Sequence, residues 1–148
     1  MAKIEFTIKG KPMAQKRHRD RRGGKGKYDP SKPDKEKIIA MMRTQGVVPS
    51  APLEGPLEIT IDCYFQRPKK HYVANDRDYK IKFIYKCVWH SQKPDFDNVA
   101  KFYCDAMTGS FWIDDAQIAK ATVRKYWAAN EESVYISVIP IDQIREYN

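Results

Sequence analysis

The chain has 148 residues, 42% hydrophobic, with nine Tyr, six Phe and three Trp; this length and content support one packed domain and exclude a disordered chain. Its 27 Lys and Arg against 19 Asp and Glu leave a net charge of +8, which favours a polyanionic partner, nucleic acid first. Three cysteines without CxxC spacing exclude a disulfide framework or zinc ribbon, and charges from Lys3 onward with no long apolar run argue against a signal peptide or membrane span, so a reducing, cytoplasmic setting is expected.

Residues 3–9 alternate, with Ile4, Phe6 and Ile8 on one face, and read as a half-buried strand. Positions 9–27 follow with nine Lys or Arg against one Asp. Gly23, Gly24 and Gly26 argue against regular structure there, so a flexible basic loop is expected. Lys16, Arg17, Arg19, Arg21 and Arg22 are its candidate phosphate contacts. Ser31 stands as an N-cap before Pro33, and Ile38, Met41 and Met42 form the apolar stripe of a helix of about 13 residues that ends near Gly46. After three prolines, residues 57–65 alternate strictly. Leu57, Ile59, Ile61, Cys63 and Phe65 point inward, and Glu58, Thr60, Asp62 and Tyr64 outward.

Residues 67–94 form a long excursion in which Lys, Arg, Tyr and Trp are interleaved. Tyr79, Ile81, Phe83 and Tyr85 fit either a strand or an irregular segment; a nucleic-acid surface and an aromatic subcluster are both open readings. A helix is expected from 96 to 108, closed by Gly109, with Phe96, Val99, Ala100, Tyr103 and Met107 facing the core. Two strands complete the chain. One spans 117–127, with Ala119, Ala121, Val123 and Trp127 on one side, and the other spans 133–140. The pattern is an α+β fold.

Against the basic background, residues 95–115 carry five aspartates and one lysine, a net charge of −4. Such a carboxylate island is retained either to hold a divalent cation or as a helix cap, a solvated face and a turn that happen to be neighbours. Asp95 and Asp97 sit at the start of the expected helix, where the dipole favours negative charge. Hard carboxylate oxygens suit Mg²⁺, and the Asp114-Asp115 pair can supply a further ligand if the chain folds back after Gly109. Lys101, one turn beyond Asp97, has two readings: an i,i+4 salt bridge, or a cation that stabilises charge developing on a phosphate under attack. Asp105 fits a partner of Lys101 or a solvated position, and Cys104 a buried small hydrophobe. No HExxH, GxSxG or Gly-rich GK[ST] motif is present.

The run from Pro94 to Lys101, then Asp105-Ala106, then Phe111 to Ile118 with Asp114-Asp115-Ala116-Gln117, resembles the RusA-type Holliday junction resolvases. Their pattern is DxDNxxK, a D-A pair, then DD-x-Q, and the close match covers about 25 residues. The resemblance implies a single RusA-like endonuclease domain over residues 1–148, with a small mixed sheet flanked by helices. It implies Asp95, Asp97 and Asp115 as metal-binding aspartates, with Asp114 as a neighbouring carboxylate, and Lys101 as the catalytic lysine. It further implies Mg²⁺ dependence, with Mn²⁺ as a substitute, and a homodimer that makes paired cuts in a four-way DNA junction during recombination and repair, often from a prophage. No small-molecule cofactor and no membrane partner are expected. The 67–94 excursion departs from the compact family pattern and leaves the junction-binding surface and the preferred branched substrate open. Two alternatives stand beside this reading: a non-catalytic basic DNA-binding module whose acidic island is only structural, and a metal nuclease acting on other branched DNA or on RNA.

Overall fold

The computed structural model describes residues 3–24, 26–74, 80–82 and 85–141. The chain opens with β1 (Ile4–Lys9), a short pair β2 (Arg19–Asp20) and β3 (Lys27–Tyr28), and helix α1 (Lys32–Thr44). Then come β4 (Leu57–Phe65), helix α2 (Phe96–Met107), β5 (Ile118–Trp127) and β6 (Ser133–Pro140). The main sheet has the order β1-β6-β4-β5, with β4 and β5 parallel and the other neighbours antiparallel. This is the mixed sheet of an α+β fold.

β4 lies inside the sheet because its apolar alternation is the strongest in the chain, and Leu57, Ile59, Ile61, Cys63 and Phe65 are all buried. They meet Ile38 and Met42 of α1 and Val99, Phe102, Tyr103 and Met107 of α2 in one core cluster. Both helices therefore cover the same face. A parallel β4–β5 pair cannot be closed by a hairpin and requires a crossover, which α2 provides. The crossover brings the start of α2 to the carboxyl end of those two strands, where open α/β sheets form their functional crevices.

Several expectations need correction. Asp62 points away from the helices yet is only 6% exposed. It stands opposite Arg124 in the β4–β5 register, and the guanidinium covers it with hydrogen bonds of 2.6 and 3.0 Å. Ala119 does not join the core face. A register shift between Leu57 and Glu58 pairs Leu57 with Ile118 and Glu58 with Lys120, so Ile118 takes the inward position. Phe96 is 65% exposed, because the buried stripe of α2 begins a turn later at Val99. Gly109 does follow the helix, with φ +91°, the left-handed conformation a helix stop favours.

Among its described residues, the basic segment 9–27 also holds more regular structure than expected. The glycines permit a hairpin rather than preventing one: Arg19 pairs with Tyr28 and Asp20 with Lys27, and the Arg21 amide donates to the Gly26 carbonyl at 2.8 Å. Ser31 does precede α1, but its hydroxyl does not cap the helix; it accepts from the Lys16 amide at 2.9 Å. In the 67–94 excursion, Tyr79 and Phe83 lie outside the described residues. The described part holds a 3₁₀ turn, Lys69–His71, and isolated bridges from Tyr72 to Ile81 and from Trp89 to Tyr126. Its rings form the aromatic subcluster: His71 stacks on Tyr85, and His90 stacks on Phe65 against Trp127. The buried Arg67 ties this cluster together, donating to the Tyr85 and Cys87 carbonyls at 2.6 and 3.0 Å. Among the described residues no helix is long and apolar enough to cross a membrane.

Candidate active site

Two cavities flank the first turns of α2. The larger, about 680 Å³, is lined by Asp95, Phe96 and Asp97, by His90 to Lys93, and by Lys125. The smaller, about 320 Å³, is lined by Gln15, Lys16, Arg17, His18, Asn98 and Lys101. One helix end thus separates a carboxylate-bearing hollow from a strongly basic one.

Asp95 occupies the N-cap position of α2, but its side chain makes no cap hydrogen bond. Lys93 straddles it instead, with Nζ 3.0 Å from Oδ1 and 3.1 Å from Oδ2. Asp97 lies in the first turn, where its Oδ1 accepts from the Asn98 amide at 3.0 Å. On the far side of the crossover, Asp114 caps a 3₁₀ turn, Asp115–Gln117, by accepting from the Ala116 amide at 2.9 Å. Gln117 completes the reciprocal cap and anchors the turn by donating to the Leu53 and Gly55 carbonyls. Asp114 therefore has a structural task. Asp115 is exposed, and its charge lies near enough to Cys104 to contribute to that thiol's shift. Burial is the larger cause; together with the charges of Asp115 and Asp105 it pushes the Cys104 thiol up to about 12, so Cys104 stays protonated.

The carboxylates of Asp95 and Asp97 are hard oxygen donors at one hollow, which fits Mg²⁺ or Mn²⁺. Among the described residues, however, no three His, Cys, Asp or Glu side chains converge as a ready-made metal cluster. The structure brings Asp95 and Asp97 together at one cavity and does not bring Asp115 into it.

Lys101 is exposed, and among the described residues it makes no ion pair, so the i,i+4 bridge to Asp97 is absent. Asp105 pairs with Lys35 instead, at 3.2 Å. The Lys101 ammonium is left to face the basic cavity.

The neighbours of Lys101 in that cavity are held by a strap. The Met13 amide donates to the Tyr103 hydroxyl at 2.9 Å, and the Gln15 amide to the Asn98 carbonyl at 2.9 Å. Gln15 Nε2 donates to the Lys16 carbonyl and to Asp29 Oδ1 at 2.8 and 2.7 Å. Asp29 is the hub. It also accepts from the Ser31 amide at 2.8 Å and from Lys35 at 2.6 Å, and His18 stands 3.9 Å away. Burial works to raise its pKa, but the hydrogen bonds from Lys35, Gln15 and Ser31 prevail and hold the carboxyl at about 2. Lys16 and Arg17 thereby reach the Lys101 cavity, whereas Arg19, Arg21 and Arg22 extend along the exposed hairpin.

Sequence reasoning missed Gln15, Asp29 and Lys125. The first two carry no motif. Lys125 did leave a signal: it stands opposite the buried Cys63, between Val123 and Trp127, where the alternation of β5 calls for an apolar side chain. Burial pulls its ammonium below the ordinary lysine value, and the nearby Asp95 charge partly opposes that.

The family described as Endodeoxyribonuclease RusA matches residues 9–139, which include both cavities and the whole strap. A relative from Bacillus subtilis (strain 168), described as Uncharacterized protein YqaN, is 30% identical over 127 residues, covering 84% of this chain and 88% of that protein.

Proposed function

This chain belongs to the RusA endodeoxyribonuclease family, and from that membership and the paired cavities we propose that it is a divalent-metal-dependent resolvase of four-way DNA junctions. It acts as one domain over residues 1–148, in the cytoplasm, and serves recombination and repair, from a host or prophage genome. The observation that carries the reading is the juxtaposition at α2: carboxylates on one side of its first turns, and on the other, among cations, a lysine that makes no ion pair among the described residues.

In this mechanism Asp95 and Asp97 would hold Mg²⁺ or Mn²⁺, with Asp115, which stands outside their cavity, to be drawn in as the third ligand and Asp114 keeping its turn in place. The ion, when bound, activates water and offsets charge on the scissile phosphate. Lys101 stabilises the negative charge that builds on the phosphoryl oxygens during attack, a contact that strengthens toward the transition state. Lys16 and Arg17 seat the backbone beside it, and Arg19, Arg21 and Arg22 extend the phosphate track outward. A homodimer places two such sites across the junction, so that opposing strands are cut symmetrically.

The test is a cleavage assay on labelled four-way junction, flap and linear duplex, with and without Mg²⁺. Metal-dependent paired nicking of the junction, in preference to flap and duplex, is the expected result. Binding without cutting under every condition would reduce the chain to a DNA-binding module. Preferential cutting of flaps or RNA would reassign the substrate.

A further inference from the structure

Lys125 links β5 to the arm that carries Asp95 through three hydrogen bonds. Its carbonyl accepts from the His90 amide at 2.9 Å. Its Nζ donates to the Gln92 carbonyl at 2.7 Å and to the Pro94 carbonyl at 2.6 Å. The second of those carbonyls belongs to the residue immediately before Asp95. Upstream, the arm is held by main-chain pairing of Trp89 and Val88 with β5. Between His90 and the first turn of α2, the Nζ bonds are the tertiary attachments to the arm's backbone among the described residues. A cation on the core-side face of a strand is unfavourable unless its donors are satisfied. Two short charge-assisted bonds to carbonyls satisfy it, and they commit the ammonium to the arm rather than to a phosphate.

We propose that Lys125 is a positioning residue, which fixes the backbone before Asp95 and so sets where the Asp95 carboxylate stands relative to Asp97. This rests on the reading of Asp95 as a metal ligand only for its functional consequence; the positioning itself is a property of the metal-free chain. Residues that orient a ligand from behind typically influence metal affinity 10–100-fold.

The experiment compares wild type, K125M and K125R as full chains, without DNA. Backbone order parameters of Gln92, Lys93 and Asp95 in metal-free K125M are expected to fall below about 0.6, the flexible range, while those of α2 stay near about 0.85. Mn²⁺ titrated alone into K125M is expected to bind about 10–100-fold more weakly than to wild type. K125R, which can donate to both carbonyls, is expected to recover most of both losses. If K125M does not fold, K125A, which also lacks a donor, carries the same comparison. An arm that stays as ordered as wild type overturns the positioning role. A wild type without Mn²⁺ affinity, beside a K125M arm that loses order, overturns the metal reading and upholds the positioning. In a separate junction-binding series, the slope of log affinity against log salt is expected to be the same in K125M as in wild type. A slope flattened by about one unit would make Lys125 a phosphate contact and overturn the proposal.

Discussion

Replacing Asp29 with Asn isolates the charge at the hub of the basic strap. The carboxyl stands at about 2 in the folded chain against an ordinary value of 3.8, and its side chain is 21% exposed, too little for solvent to screen most of the interaction. A depression of that size corresponds to about 2 kcal/mol of folding stability at neutral pH. Because the folded value is depressed, that stability is present in full above the unfolded value and is lost as pH falls through the folded one. The gap between wild type and D29N should therefore be widest above roughly pH 4 and close toward pH 2. For a chain of this length the neutral-pH loss amounts to about 4–8 °C in Tm. Denaturant unfolding across pH 2–7, monitored by circular dichroism, measures it. Asn keeps an acceptor for Gln15 and the Ser31 amide, so the missing charge toward Lys35 is the main change. A gap that stays constant with pH would refute the electrostatic account and make Asp29 a packing residue. If the strap seats DNA, D29N should also weaken junction affinity more than it slows cleavage of bound junction.

Asn at Asp95, Asp97 or Asp115 is expected to abolish cutting while junction binding stays intact or tightens, as read by cleavage and gel-shift assays on the same preparations; full cleavage by D115N would remove Asp115 from the ligand set. Lys101→Ala should slow single-turnover cleavage on the order of 10²–10³-fold with little change in Tm, since Lys101 makes no ion pair among the described residues. Neutralising Arg21 and Arg22 together should flatten the slope of log affinity against log salt by roughly two units, and an unchanged slope would move the phosphate track off the hairpin. Light scattering should give twice the mass of one chain, and heterodimers with Asp97→Asn should nick one strand of the junction without resolving it.

Local periodicity made much of the scaffold legible. β4 runs over the residues its alternation marked, and the lengths of α1 and α2 follow from their apolar stripes and stop signals. What periodicity could not supply was a long-range partner. Asp62 reads as an outward residue until Arg124 arrives from a strand 62 positions away to bury it. A glycine-rich basic run reads as a free loop because nothing local shows that Tyr103, Asn98 and Asp29 will hold its beginning. The aspartates and Lys101 were legible as a pattern. Their separation into two cavities depends on how the strap and the Asp95 arm pack around α2, which no spacing encodes.

The aspartates of residues 95–115 are also kept from crowding one another by separate partners. Crowded like charges destabilise a fold only when they face one another. Here Asp95 is straddled by Lys93, Asp97 accepts an amide at a helix start, Asp105 pairs with Lys35, and Asp114 caps a turn. The island's acidity by itself therefore does not argue for a metal. The pair restraining Asp95 is weak. Lys93 and Asp95 have side chains 86% and 49% exposed, and an ion pair in that setting contributes at most about 1 kcal/mol. Asp95 and Asp97, were they to hold a divalent ion, would give up such a partner readily. Lys93 would then be released from Asp95, at no more than that small cost.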